Sequence, residues 1–198
     1  MSARAGGAAG EPPVLTFATP AELASWIASQ PPGGPGAWLR FAKRGARLPT
    51  ITYAQALDVA LCHGWIDGHV RRLDDEAYLQ RFTPRRARSR WSERNVGYAE
   101  RLIAEGAMRP AGLAEVERAK ADGRWEAAYA GPRTIEVPPD LQEALDAEPR
   151  AAAFFATLDA HNRYAVLYRV GDAKRPETRA RRIARFVAML AAGEKLHP

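Results

Sequence analysis

The stretch Arg81-Phe82-Thr83-Pro84-Arg85-Arg86-Ala87-Arg88-Ser89-Arg90-Trp91-Ser92-Glu93-Arg94-Asn95 has residue types and spacing that could do chemistry. It packs six arginines against one acid. The guanidinium fork matches the paired oxygens of a phosphate or carboxylate, which the point charge of lysine does not. The stretch also joins the end of an expected strand to the start of an expected helix. Unpaired N–H groups and the positive dipole end favour an anion there. Ser89 and Ser92 both fit a helix cap, and either hydroxyl also suits contact with a bound anion. Trp91 offers a flat face to a base, a sugar or a guanidinium. Two readings are open. One is an anion site for phosphate or carboxylate. The other is a solvated basic loop whose arginines pair with Asp74, Asp75 and Glu76.

Cys62-His63-Gly64-Trp65-Ile66-Asp67-Gly68 is the second group. Adjacent helical residues point about 100° apart, so Cys62 and His63 do not face each other as a thiolate–imidazolium pair. Cys62 reads as a small core residue, and His63 is left to meet a partner across the fold. Asp67 follows a helix that ends in glycine and opens a strand. It is expected to hold an arginine of the basic loop, or to act as a general base. Nearby arginines would favour its charged form and lower its basicity, which supports the structural role. The four histidines (His63, His69, His161, His197) lack metal-ligand spacing, and no glycine-rich phosphate loop is present, so neither metal nor cofactor is expected. A third group, Asp172 to Ile183, starts a basic helix. It suits nucleic-acid or membrane-surface contact, but an amphipathic packing helix with an arginine face accounts for the same pattern.

These groups need elements to position them. Thr19-Pro20-Ala21-Glu22 and Thr52-Tyr53-Ala54-Gln55 read as helix starts with capping boxes. Leu57, Ala60, Leu61, Gly64 and Trp65 fall on one stripe, and Gly64 stops the helix. Strands are expected over Ala37–Lys43, Ile66–Arg72 and Ala77–Phe82, the last two around an acidic turn. Helices are expected at about Ser92–Glu105, with Val96, Ala99 and Ile103 inward, and at Pro110–Asp122. Beyond them only helices are read. The last starts near Pro176 and packs through Ala180, Ile183, Ala184, Val187, Leu190 and Ala191. The expected class is α+β: a small antiparallel sheet with packed helices, then a helical bundle.

The chain has 198 residues and a net charge of +6, and only four of its 29 basic residues are lysine. That length suits one large domain or two small ones. One cysteine excludes an internal disulfide framework and a multi-cysteine zinc site. No apolar run is long enough to span a membrane. Met1 to Pro13 lacks the apolar centre of a signal peptide, so a disordered leader and a cytoplasmic protein are expected. The expected plan is a leader over 1–14, an α+β domain over 15–130, a Pro/Gly linker over 131–140 and a helical domain over 141–198.

Taken together, Phe17-Ala18-Thr19-Pro20, Trp38 to Lys43, Ala60 to Gly68, Arg81 to Arg86, Ser89 to Ser92 with Asn95, Gly123-Arg124-Trp125 and Glu177 to Ile183 resemble one family. It is the YdeI/OmpD-associated, or bacteriocin-protection, proteins, and the resemblance runs over about residues 15–198. It implies a bacterial setting of stress tolerance and protection against antimicrobial peptides, and brings no cofactor with it. Three functions are weighed on this basis. The first is a binding protein whose Trp65, Asp67, Arg81, Arg85, Arg86, Ser89, Trp91, Ser92 and Asn95 hold a small anionic molecule or an acidic protein surface. The second is a nucleic-acid binder using the 81–94 arginines and the last helix. The third is an enzyme with Asp67 or His63 as acid–base and arginines holding an acidic substrate.

Overall fold

The computed structural model describes residues 11–198. Most of the expected leader lies outside them; its end does not, since Val14 belongs to a strand. The chain divides after Ala128 into an N-terminal unit and a second unit, Tyr129–Pro198. The class is α+β, with strands and helices interleaved up to β4 and helices alone after it.

The N-terminal unit holds β1 (Val14–Leu15), α1 (Pro20–Ala28), β2 (Ala37–Ala42), α2 (Tyr53–Cys62), β3 (Trp65–Arg72), β4 (Ala77–Pro84), α3 (Glu93–Ala104) and α4 (Pro110–Ala121). The strand order is β1-β2-β4-β3. β2, β4 and β3 pair antiparallel, whereas the two-residue β1 runs parallel to β2, so the sheet is mixed. Period-two burial sends Ala37, Leu39 and Phe41 inward with Phe82. These residues meet Leu23 and Ile27 of α1 and Ala56 and Ala60 of α2 in one core. A second core lies on the far side of α2, where Leu57, Leu61 and Cys62 pack with Trp91, Ala99, Leu102 and Val116. α2 therefore feeds both cores, as a helix apolar on two faces must.

The caps explain why the helices start where they do. Thr19 accepts from the backbone of Glu22 at α1, and Thr52 and Gln55 close a full capping box at α2. The Glu22 carboxylate reaches the Ala18 N–H, one residue before the cap. Ser92 caps α3. One inward assignment on α3 changes: Ile103 is exposed, and Leu102 takes the buried position with Asn95 and Ala99.

The second unit contains α5 (Pro139–Asp146), α6 (Pro149–Ala156), α7 (Ala160–Asp172) and α8 (Pro176–Ala191). Leu141, Leu145, Phe155, Val166, Leu167, Ile183, Phe186 and Leu190 form its core, and Ile135 and Val137 of the preceding Pro/Gly stretch pack against it. Phe186 takes a place in this core, whereas Ala180 and Ala184 are exposed. The buried Asn162 amide bonds both backbone groups of His197 and ties down the chain end.

Candidate functional site

Two residues of the loop expected to bind an anion, Arg85 and Trp91, are buried. Arg85 follows β4 directly and its N–H donates to the Gly64 carbonyl at 2.9 Å, extending the β3–β4 ladder. Its side chain is buried, with the guanidinium carbon 3.4 Å from the centre of the Trp91 ring. Such a desolvated cation–π stack contributes about 2 kcal/mol. Nη1 of Arg85 also donates to the Arg90 carbonyl. Trp91 is itself 2% exposed and packs edge-on against Trp125 at 4.8 Å. Its face is therefore occupied by Arg85 and by the core.

The other loop residues close a turn. The Arg86 N–H donates to the Ser89 hydroxyl, and the Ser89 N–H donates to the Arg86 carbonyl, each at 2.9 Å. Ser89 offers its carbonyl to Arg124. The Ser92 hydroxyl accepts from the Asn95 N–H, so a side chain of the loop already serves that N–H at the α3 N-terminus. Asn95 is buried in the first turn. Arg86 and Arg88 remain exposed. The acidic turn takes other partners: Asp74 pairs with Arg40, and Asp75 with Arg72.

Arg81 stands apart from that loop. Its Nη2 donates to the Pro35 carbonyl, and its guanidinium lies 5.8 Å from the centre of the Trp38 ring, which Arg71 approaches at 5.0 Å. Burial lowers the pKa of Arg81.

Asp67 does not hold an arginine in a salt bridge as expected. Its carboxylate accepts from the Tyr53 phenol at 2.7 Å. Burial and this carboxylate push the Tyr53 pKa well up, so the phenol stays a donor. Arg94 faces the Tyr53 ring at 6.0 Å and donates to the Tyr98 hydroxyl. The bond ties α2 to β3. Tyr53→Phe leaves a half-buried carboxylate short of a donor and is expected to cost about 1–3 kcal/mol, read as a fall in the urea midpoint.

The residues that converge do so around Gly64. This glycine has φ +75°, which lets α2 stop and β3 begin without strain. Gly112 on α4 lies against the end of α2: a Cβ on it would stand 2.3 Å from the Cys62 carbonyl oxygen. The Arg109 N–H donates to that same oxygen at 3.0 Å. This close seating carries Glu115 in beside Gly64, where a Cβ would meet the Glu115 Cγ at 3.0 Å. The result is a cleft of about 280 Å³. Trp65, Pro84 and Arg85 line it from the sheet, His63 from the end of α2, Glu115 from α4, and Ile27 with Pro31 and Pro32 from the end of α1. Trp65 is buried and packs edge-on to Trp26 at 5.6 Å.

Of the nine residues expected to form one site, Trp65 and Arg85 share this cleft. Arg86, Ser89, Trp91, Ser92 and Asn95 belong to the loop and its helix cap. Asp67 pairs with Tyr53, and Arg81 lies by Trp38. Glu115 was missed. Its one signal was Gly112, a glycine inside a helix at helical spacing from Glu115, Val116 and Ala119, all four of which are buried.

Burial, then Arg109, lowers the His63 pKa, so the imidazole is neutral at pH 7. A depressed histidine pKa leaves stability unaffected above the unfolded value of about 6.5. Below it the unfolded chain takes up a proton that the folded chain refuses, so stability falls with pH until the folded pKa is passed. His63→Asn should flatten that part of a stability-versus-pH curve measured by urea melts. Cys62 is buried, and burial raises its pKa, which leaves it a thiol.

The second unit has a groove of about 690 Å³ along α8, lined by Ala180, Ile183, Ala184, Val187 and Ala188. On its polar rim Arg179 forks onto Asp140 with contacts of 2.5 and 2.7 Å. Among the described residues no group of His, Cys, Asp and Glu could hold a metal, and no helix is long and apolar enough to cross a membrane.

Residues 15–115 match the family model of a domain of unknown function, DUF8412. Residues 134–193 match the model described as Bacteriocin-protection, YdeI or OmpD-Associated. No curated protein and no solved structure matches the chain. The strings around Gly64 and Arg85 therefore fall in the first match, and the protective description attaches to the helical second unit.

Proposed function

The chain belongs by residues 15–115 to a domain family of unknown function, and its residues 134–193 match the Bacteriocin-protection, YdeI or OmpD-Associated model; from that premise we propose a binding protein. Its N-terminal unit receives a small anionic molecule, or one acidic group of a larger partner, in the cleft between Trp65 and Arg85. The observation that carries this reading is the convergence of an arginine and a tryptophan, twenty positions apart in sequence, on one cleft with a neutral histidine. An apolar pocket with a few convergent polar groups is the ordinary form of a small-ligand site. The biological setting is bacterial stress and antimicrobial protection, and the compartment is the cytoplasm.

Binding of acetate and inorganic phosphate by calorimetry tests it. Arg85→Met keeps a long stem under Trp91 and removes the charge; it should abolish binding. Ala111→Phe, on the exposed rim of the cleft, should do the same without touching the core. Unchanged affinity in both variants would reject the site.

Nucleic acid draws less support. Arg81 is spent on Pro35 and Arg94 on Tyr98. On α8, Arg179 pairs with Asp140 and Arg182 with Asp172. A steep fall of DNA affinity with salt would be the signature of that alternative.

A further inference from the structure

Glu115 is the group that a purely anionic ligand leaves unexplained. It is 9% exposed and sits in the same cleft as Arg85. Its Oε1 accepts from Arg118 at 2.8 Å. Its Oε2 is buried and has no hydrogen-bond partner among the described residues. A buried carboxylate oxygen without a donor is costly, and native proteins seldom leave one. The side chain packs closely on Gly64, where a Cβ would stand 3.0 Å from its Cγ. Arg118 pairs from the half-exposed side and reaches only one of the two oxygens.

The two charges make different demands. Arg85 attracts an anionic group into the cleft; Glu115 repels it and asks for an N–H donor. A single small molecule that carries both groups answers both demands. A cleft of about 280 Å³ suits a ligand of few heavy atoms.

We propose that the cleft takes a small zwitterion, with an ammonium or other cationic N–H group on Glu115 and a carboxylate or phosphate toward Arg85. The proposal rests on the reading that this cleft binds an anionic group, and adds the second pole. The apolar wall of Ile27, Trp65 and Pro84 would cover the methylenes between the poles. His63, neutral at pH 7, adds no charge to either pole.

The test is a set of NMR titrations of the full-length protein with acetate, ethylammonium, glycine, β-alanine and 4-aminobutyrate. The three amino acids vary the distance between poles. The best of them should bind at least about tenfold more tightly than acetate or ethylammonium, the effect expected of one added charge-assisted hydrogen bond. Glu115→Gln should bring that amino acid down to the affinity of acetate and leave acetate no weaker. If no amino acid exceeds acetate in the native protein, the zwitterion proposal is overturned, whatever the variant does. If acetate binds the cleft and Glu115→Gln leaves the preference for the amino acid intact, Glu115 is not the second pole and the proposal is likewise overturned. Either result leaves the anion reading standing. That reading fails separately if neither acetate nor any amino acid perturbs Trp65.

Discussion

Gly112→Ala is expected to destabilise the N-terminal unit by about 3 kcal/mol, at the upper end of what one added methyl costs in a packed interior. Its Cβ would stand 2.3 Å from the Cys62 oxygen and 2.7 Å from the Leu61 oxygen. Both are backbone atoms of α2, so no side chain can swing aside; α4 must move away as a body. The movement would break the 3.0 Å bond from Arg109 to Cys62 and pull Glu115 off Gly64. Gly97→Ala is the control. It lies in α3 with nothing within 4 Å of its would-be Cβ. Alanine there should stabilise by roughly 0.5–1 kcal/mol from helix propensity alone. Urea melts of the two variants should therefore move in opposite directions. A Gly112→Ala midpoint equal to that of the native protein would contradict the seating of α4 that builds the cleft.

Trp91→Ala is expected to cost about 3–5 kcal/mol, the range for truncating a buried large aromatic. Beyond the cavity, it removes the ring that Arg85 covers at 3.4 Å and the ring that Trp125 meets edge-on. Arg85 would then keep its largely buried charge without its stacking partner. Loss of the near-ultraviolet circular dichroism of the tryptophans, together with a collapsed urea midpoint, is the expected readout. Trp91→Phe retains a face for the guanidinium and should cost much less. Equal, small effects from both would mean that Arg85 and Trp91 are surface neighbours and that the loop is solvated after all.

The basic loop illustrates what sequence alone resolves. Thr19, Thr52 and Ser92 were legible as helix starts and Gly64 as a stop, because caps and glycine turns are local chemistry. The strands around the acidic turn were legible from alternation. The α+β class followed from their order. Arg85 was not legible as a buried residue. A run of six arginines reads as one solvated face, and only the stack on Trp91 and the bond to Gly64, both set by tertiary packing, single one out. Ile103 and Leu102 are adjacent and equally apolar, so the helix phase was decided by Ala99, Asn95 and the neighbouring core. β1 is two residues long and carries no pattern of its own. The cleft itself needed four separate segments: the end of α1, the end of α2 with the start of β3, the end of β4 and the inward face of α4. Their meeting depends on Gly112, whose small size is visible in sequence but whose neighbour is not.

The five tryptophans give the most direct test of where a ligand sits. Trp65 lines the cleft, Trp91 and Trp125 pack together in the second core, and Trp38 lies between Arg71 and Arg81 on the sheet. Their indole N–H signals, assigned by single phenylalanine substitutions, can be followed in ¹⁵N-labelled protein as acetate or phosphate is added. Saturable movement of the Trp65 signal, with Trp38 and Trp125 still, is the predicted result. Movement of Trp38 with Trp65 unchanged would place the anion on the sheet surface and contradict the cleft as the binding site.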